Sequence, residues 1–84
     1  MSEIEESTQI VHFFPRKNNE RIHFSLRPFK GKIYFDMRTW YQKEDETEWI
    51  PTKRGISLSA DEMNDFSLGV AKLTQAAVEV QKRL

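Results

Sequence analysis

The chain has 84 residues, with 13 basic and 13 acidic side chains, a formal net charge of zero at pH 7, and no cysteine. This length suits one domain with a modest core, and the lack of cysteine excludes disulfides and cysteine-ligated metals. No apolar stretch approaches the roughly 20 residues of a membrane span, and a neutral chain is not a simple polycation that coats DNA.

The first residues, 1–8, are polar and acidic and lack the basic and apolar regions of a signal peptide. We expect them to be disordered, and we expect the protein to be intracellular, in the cytoplasm or nucleoid, or in the nucleus if eukaryotic. The predicted domain comprises residues 9–84. It begins with a short apolar run, Gln9–Phe14, which predicts a first strand that Pro15 ends.

Two segments on either side of a Lys30-Gly31 turn alternate between apolar and polar residues, which is typical of strands with one dry face. The apolar positions are Ile22, Phe24, Leu26, Ile33, Phe35 and Met37. The opposite positions are Arg21, His23, Ser25 and Arg27, then Lys32, Tyr34, Asp36, Arg38 and Trp40. Adjacent strands of this kind make an open, wettable sheet face that is rich in cations and aromatic rings.

The acidic stretch at 44–48 is interpreted as a solvated hairpin tip. Trp49 to Pro51 predicts a strand at a sheet edge or end, with Trp49 in the core or an interface. Lys53 to Gly55 is a second basic turn, and Ile56 to Leu58 is the last short strand. Ser59 to Glu62 matches a capping box, so a helix begins there and meets no proline before the last residue.

The helix carries apolar residues spaced alternately by three and four. They are Met63, Phe66, Val70, Leu73, Ala77, Val80 and Leu84. A helix of this length extends about 37 Å, whereas a four-stranded sheet is about 15 Å across. We therefore expect the first half to cover the apolar side of the sheet and the far half to extend beyond it. The exposed stripe predicts a homodimer with Val70, Leu73, Ala77 and Val80 at its interface.

Charge is segregated along the chain, because the segment from Arg16 to Arg38 holds seven cations against two acids. Such clustering predicts a local positive patch on a neutral protein. Its densest part, Arg27 to Lys32, leads directly into the aromatic strand Ile33–Tyr41. Cations neutralise phosphates and aromatic rings stack on unpaired bases, so this pattern favours binding of single-stranded nucleic acid.

Three segments resemble the DNA-binding domain of the positive cofactor four family of transcriptional coactivators, which also has small bacterial and phage members. They are Phe29-Lys30-Gly31-Lys32, Asp36-x-Arg38 and Lys53–Leu58, within a resemblance that covers about residues 21–75. It implies an α+β fold, in which a curved four-stranded antiparallel sheet precedes one long C-terminal helix, paired into a homodimer. It also implies sequence-independent binding of single-stranded DNA or melted duplex, in transcription, replication or repair, with proteins of those systems as further partners.

Carried over by position, the resemblance implies phosphate contacts from Arg27, Lys30, Lys32, Arg38 and Arg54, and stacking by Phe29 and Tyr41. The aromatic pair here is Trp40-Tyr41, the reverse of the family's usual order. Alternation puts Trp40 on the basic side, whereas Tyr41 needs a bulge to reach it, so both stay candidates. The predicted nucleic-acid-binding set is Arg21, Arg27, Phe29, Lys30, Lys32, Arg38, Trp40, Tyr41, Lys53 and Arg54.

Other chemistry finds no support in the sequence. Asp36 is interpreted as a structural partner of Arg38 or Arg27, and Tyr34 suits the basic face and a dimer seam equally. His12 and His23 lack neighbours at metal-ligand spacing, and no nucleophile stands beside a base, so we expect no metal, cofactor or catalytic residue. Two alternatives stay open: a protein-interaction adaptor that uses the C-terminal helix, and an RNA-binding module.

Overall fold

The computed structural model describes residues 8–84, so the predicted disordered segment 1–8 lies outside the described residues except for Thr8. The elements are β1 (Gln9–Pro15), β2 (Glu20–Phe29), β3 (Lys32–Gln42), β4 (Trp49–Ser59) and α1 (Ala60–Lys82). The strands form one four-stranded sheet in the order β1-β2-β3-β4, and each neighbouring pair is antiparallel. This confirms the predicted α+β fold, an open antiparallel sheet followed by a C-terminal helix.

The hairpin between β2 and β3 sets which side chains share a face. Its two turn residues, Lys30 and Gly31, have φ values of +52° and +79°. Positive φ at both central positions is the geometry of a type I′ turn, whose twist matches that of the strands. Pairing then runs without a shift from Phe29 and Lys32 to Glu20 and Tyr41. The alternation predicted for both strands is therefore preserved over their whole length.

Strand β4 carries the main irregularity of the sheet. Arg38 pairs with Gly55, but Trp40 pairs with Pro51, so the intervening part of β4 bulges opposite Thr39. The Thr52 hydroxyl donates to the Thr39 carbonyl over 2.7 Å and accepts the Arg54 backbone N–H over 3.2 Å. The prediction of a turn at Lys53 to Gly55 was wrong, because these hydrogen bonds satisfy the bulge and β4 continues through it.

Gly55 is required where β4 leaves the bulge. A Cβ atom there would lie 2.6 Å from the Met37 carbonyl oxygen and 2.7 Å from Arg38 Cα. Backbone atoms of β3 cannot withdraw from such a contact without breaking the ladder. The close approach of β4 to β3 therefore depends on the missing side chain.

The predicted start of the helix is confirmed. The Glu62 carboxylate accepts the backbone N–H of Ser59 over 2.9 Å, which is the reciprocal half of a capping box. Asp61 and Glu62 occupy the first turn, where the helix dipole favours negative charge. Strand β4 ends at Ser59 and α1 begins at Ala60, so no loop separates the strand from the helix.

The helix covers less of the sheet than the sequence predicts. Only Met63 and Phe66 of α1 are half-buried, and from Ser67 onward the helix is exposed. The prediction that its first half covers the apolar side of the sheet was therefore wrong beyond the second turn. The physical reason is the direct β4–α1 junction, which carries the helix away from the sheet and limits its contacts to β3 and β4.

The single chain consequently lacks an apolar core among residues 8–84. Its buried residues in that range are all polar: His23, Ser25, Asp36 and Thr39. Large apolar side chains stay exposed on both layers, for example Ile33 and Ile56 on the sheet and Leu73 on the helix, the last at 73%. No helix within residues 8–84 combines the length and the apolar character that crossing a membrane requires.

Replacement of Gly55 by alanine tests the close approach of β4 to β3. We expect Gly55→Ala to lower the free energy of unfolding by about 1–3 kcal/mol, because an overpacked site must shift backbone. The matched control is Gly69→Ala in α1, where a Cβ meets no atom of the chain within 4 Å. That variant should gain about 0.5–1 kcal/mol from helix propensity. Urea denaturation measures both, and equal stability of the two variants would contradict the packing argument.

Candidate nucleic-acid interface

One side of β2 and β3 gathers most of the residues that the sequence assigns to nucleic acid. We call it the basic-aromatic face, defined by Arg21, His23, Ser25, Arg27 and Phe29 of β2 and by Lys32, Tyr34, Asp36, Arg38 and Trp40 of β3. Period-2 alternation and the unbroken register place these side chains on one surface. Arg21, Arg27, Phe29, Lys32, Arg38 and Trp40 are thus brought together, with Lys30 in the adjoining turn.

The hairpin cluster, made of Arg27, Phe29, Lys30 and Tyr34, lies at the turn end of this face. The Phe29 ring has Lys30 Nζ 5.4 Å and Arg27 Cζ 6.0 Å from its centroid. Tyr34 meets Phe29 edge-on at 6.4 Å, and Arg27 Cζ lies 5.5 Å from the Tyr34 ring. The Arg27 guanidinium also donates to Ser57 Oγ over 3.1 Å. A half-exposed ring flanked by two cations can stack on a base while the cations meet its phosphates.

The strand-end cluster, made of Phe13, Arg21, His23, Trp40 and Trp49, lies at the other end of the same face. Arg21 Cζ lies 4.3 Å from the Phe13 centroid and 4.0 Å from that of Trp49. His23 stacks on Trp40 with centroids 4.6 Å apart and planes inclined by 20°. One cation and four rings from all four strands therefore meet at this end of the sheet.

Arg38 and Asp36 occupy the centre of the face and are bound to each other. Arg38 donates through Nε and Nη2 to the two Asp36 carboxylate oxygens, both over 2.6 Å, and through Nη1 to the Thr52 carbonyl over 2.9 Å. The hydrogen bonds that Arg38 donates to Asp36, and then the charge of Asp36, raise the pKa of Arg38 against the opposing effect of burial. Asp36 therefore acts as the structural partner of Arg38, as the sequence predicts. Because three of its N–H groups are used in these hydrogen bonds, Arg38 retains few donors for a phosphate.

Three predicted residues, Tyr41, Lys53 and Arg54, lie outside the basic-aromatic face and its adjoining turn. The irregularity at this end of the sheet lies in β4 and not in β3, so Tyr41 stays on the opposite side of β3 from Trp40. Arg54 forms an ion pair with the Glu20 carboxylate over 2.9 Å, and its own side chain is 62% exposed. Lys53 is an exposed residue of the β4 bulge. Their roles in binding stay predictions from the sequence.

His23 is a buried residue and not the surface residue that alternation suggests. It is only 3% exposed because Phe13, Trp40 and Trp49 surround it at centroid distances of 4.6 to 6.4 Å. Burial, and then the charge of Arg21, lower the pKa of His23 below its ordinary value of 6.5. The ring is therefore neutral at pH 7, and neither of its nitrogens has a hydrogen-bond partner among residues 8–84.

Phe13 and Trp49 are the members of the strand-end cluster that sequence reasoning missed. The sequence pattern places Phe13 only in the first strand and predicts a core or interface position for Trp49. Their positions depend on the pairing of β1 with β2 and on the bulge in β4, neither of which leaves a local signal in the sequence. The one sequence signal that points to them is the alternation of cations and rings in β2 and β3, which favours further rings in the flanking strands.

The predicted dimer residues lie on the exposed part of α1. Val70, Leu73 and Val80 are 46%, 73% and 49% exposed, and Ala77 lies between them on the same stripe. Leu73, Ala77 and Val80 help to line a shallow apolar groove of about 450 Å³. In the part of the chain that the structure describes, no three histidine, aspartate or glutamate side chains group as metal ligands would.

Comparison with known families gives one clear match. The family model described as Transcriptional Coactivator p15 (PC4) matches residues 16–67, more than half of the chain. An RNA polymerase II transcriptional coactivator from Arabidopsis thaliana, KIWI, is 46% identical over 46 residues. That match covers 55% of this chain but only 39% of the plant protein, so the chain spans well under half of that relative's length.

Solved structures of related proteins share the fold. A PC4 homolog from Burkholderia pseudomallei superposes with a TM-score of 0.72 at 23% identity, covering 82% of this chain and 92% of that one. A bacteriophage T5 homolog of PC4, implicated in recombination-dependent DNA replication, superposes with a TM-score of 0.60 at 29% identity. The superposition covers 93% of this chain and 92% of the phage chain.

The buried, neutral His23 makes stability depend on pH. A histidine with a lowered pKa in the folded state contributes stability above its unfolded pKa of 6.5, and this contribution is lost as the pH falls below that value. We expect the free energy of unfolding to decrease from about pH 7.5 to pH 5.5, by at most about 1.4 kcal/mol per pH unit from this group. His23→Gln should flatten the dependence in urea denaturation. The exposed His12 provides the control, since a similar flattening in His12→Gln would contradict the assignment to His23.

Proposed function

This chain belongs to the PC4 family of transcriptional coactivators, and on that basis we propose that it binds single-stranded DNA as a homodimer, without sequence preference. The proposed targets are single strands and the splayed strands of melted duplex. The protein would act as a transcription cofactor or in replication and repair. The observation that carries the proposal is the basic-aromatic face, where cations and rings alternate on one open surface.

The geometry of the hairpin cluster favours unpaired bases over duplex. Phe29 sits at a strand end beside Lys30 and Arg27, so its ring and the two charges belong to one small surface. In a duplex the base faces are stacked on each other and closed to a protein ring, whereas in a single strand they are free. A surface that pairs stacking with phosphate neutralisation therefore supports a preference for the single strand. RNA offers the same faces and remains the alternative ligand.

The homodimer is supported by the apolar surface that a single chain leaves exposed. Residues 8–84 bury no apolar side chain, which is unusual for a folded domain. The α1 stripe of Val70, Leu73, Ala77 and Val80 follows a three-and-four spacing that is complementary to a second copy of itself. Two copies that cover each other's sheet and helix would supply the core that one copy lacks.

The relatives support a cellular setting for the proposed function. The Arabidopsis protein is a coactivator of RNA polymerase II, and the phage protein is implicated in recombination-dependent DNA replication. Both settings contain melted DNA, and both imply partners from the transcription or replication machinery in the nucleus or nucleoid. An adaptor function through α1 is the second candidate, because the stripe is exposed in the single chain.

Replacement of Phe29 tests stacking in the hairpin cluster. We expect Phe29→Ala to weaken binding of a single-stranded oligonucleotide by about 5-fold to 150-fold, because a stacked base contributes about 1–3 kcal/mol. Fluorescence anisotropy over a salt series measures the affinity, and log K should fall with log salt by about 0.7 per phosphate contacted. The control is Phe14→Ala, a 43%-exposed phenylalanine that pairs with Ile22 on the other side of the sheet. Wild-type affinity in Phe29→Ala would remove the stacking role.

A charge placed in the α1 stripe tests the homodimer. We expect wild type to have twice the mass of one chain in light scattering, and Leu73→Glu to shift it toward the monomer or to prevent stable folding. Gln75→Glu adds the same charge on the opposite side of the helix and should remain dimeric. A wild-type monomer that folds stably would contradict the homodimer and would favour the adaptor function for α1.

A further inference from the structure

The strand-end cluster is separated from the hairpin cluster by the length of β2. Arg21 and Phe29 are eight positions apart on that strand, which corresponds to about 26 Å at a rise of about 3.3 Å per residue. A single strand with about 3.4 Å between stacked nucleotides would need about eight nucleotides to bridge them. The two clusters are therefore distinct places on one face and cannot be filled by the same base.

A cavity opens beside the strand-end cluster. It has a volume of about 490 Å³ and is lined by Ile10, Val11, His12, Phe13, Arg21 and His23. Its size lies within the range of small-ligand sites, roughly 300–1,000 Å³, and is ample for one planar heterocycle. Phe13 is 46% exposed here, although most large apolar side chains of the molecule lie on the other side or on α1.

Arg21 is held in place by its aromatic neighbours. Arg21 Cζ lies 4.3 Å from the centroid of the Phe13 ring and 4.0 Å from that of the Trp49 ring, so two rings flank the cation. Among residues 8–84, no side-chain hydrogen bond or ion pair of Arg21 is found. A guanidinium flanked by rings, with donors unpaired in that part of the chain, is suited to bind the oxygens of a phosphate.

His23 lines the cavity, and it and the adjacent Trp40 carry buried polar atoms without partners among residues 8–84. His23 is 97% buried, and both of its ring nitrogens lack a hydrogen-bond partner in the described part of the chain, as does Trp40 Nε1. Buried polar groups are normally paired, so these nitrogens leave hydrogen bonds available to a ligand that opens the cluster.

We propose that the strand-end cluster is a second base-binding site, in which one unpaired nucleobase stacks on Phe13 over His23 while Arg21 binds the adjacent phosphate. The site rests on the proposed single-stranded DNA binding and adds Phe13 to the rings on which bases would stack. Occupation of both clusters by one strand sets a minimum length for tight binding. It also gives the bound strand a defined path along β2, from the hairpin cluster to the β1 edge.

The chain offers a direct spectroscopic readout of this site. Its two tryptophans are Trp40 and Trp49, and both belong to the strand-end cluster. A base that enters the cluster should therefore quench tryptophan emission, whereas a base on Phe29 should not. We would titrate wild type with oligothymidylates of about 4 to 16 nucleotides, the range of single-strand sites, while recording anisotropy and emission together.

We expect affinity to rise by more than fivefold above about eight nucleotides, with tryptophan quenching that accompanies the rise. Phe13→Leu keeps the apolar bulk and removes the ring, so it should lose both the rise and the quenching. Phe14→Leu, the neighbouring phenylalanine on the other side of β1, should keep both. Phe29→Ala should retain the quenching by long strands while binding more weakly at every length.

The outcomes separate the two proposals. Absence of single-strand binding in wild type would overturn the proposed function and this site with it. Binding that Phe29→Ala weakens, without quenching and with wild-type affinity in Phe13→Leu, would overturn only the second site. A loss confined to Arg21→Gln, with Phe13→Leu unchanged, would reduce the cluster to a phosphate contact and also overturn base binding.

Discussion

The register between β2 and β3 is the constraint on which the rest of the molecule depends. The type I′ turn at Lys30 and Gly31 starts the pairing at Phe29 and Lys32, and no shift follows. Because side chains alternate with a period of two, a slip of one residue would send the cations of one strand to the apolar side. The same register places Arg27 beside Tyr34 at one end of the basic-aromatic face and Arg21 beside Trp40 at the other.

That arrangement places the cations and most of the aromatic rings on one side of the sheet and the apolar side chains on the other. The basic-aromatic face remains open, and its packing comes from rings, guanidinium groups and the buried His23, Ser25 and Asp36. The apolar side is half-covered by the start of α1, and large apolar side chains stay exposed there and along the helix. A partner that covered this surface would add the free energy of its burial to the stability of the fold.

Electrostatics within the face distinguish structural cations from available ones. Arg38 is bound by both oxygens of Asp36, and Arg54 by Glu20, so these charges are partly neutralised inside the chain. Lys30 and Lys32 are exposed, and Arg27 uses one donor on Ser57 while it lies near two rings. The positive potential is therefore concentrated at the hairpin and at Arg21, not spread evenly over every cation of the sequence.

The sequence by itself determined the local features. Period-2 alternation identified β2 and β3, the capping box at Ser59 located the start of α1, and the basic turn with its neighbouring motifs indicated the family. Only the tertiary structure decided how far α1 leaves the sheet, that β4 bulges at Thr52 to Arg54, and that Phe13 and Trp49 close around Arg21 and His23. Alternation, caps and turns act between residues close in the chain, whereas strand register and cross-strand contacts join distant residues and leave no periodic signal.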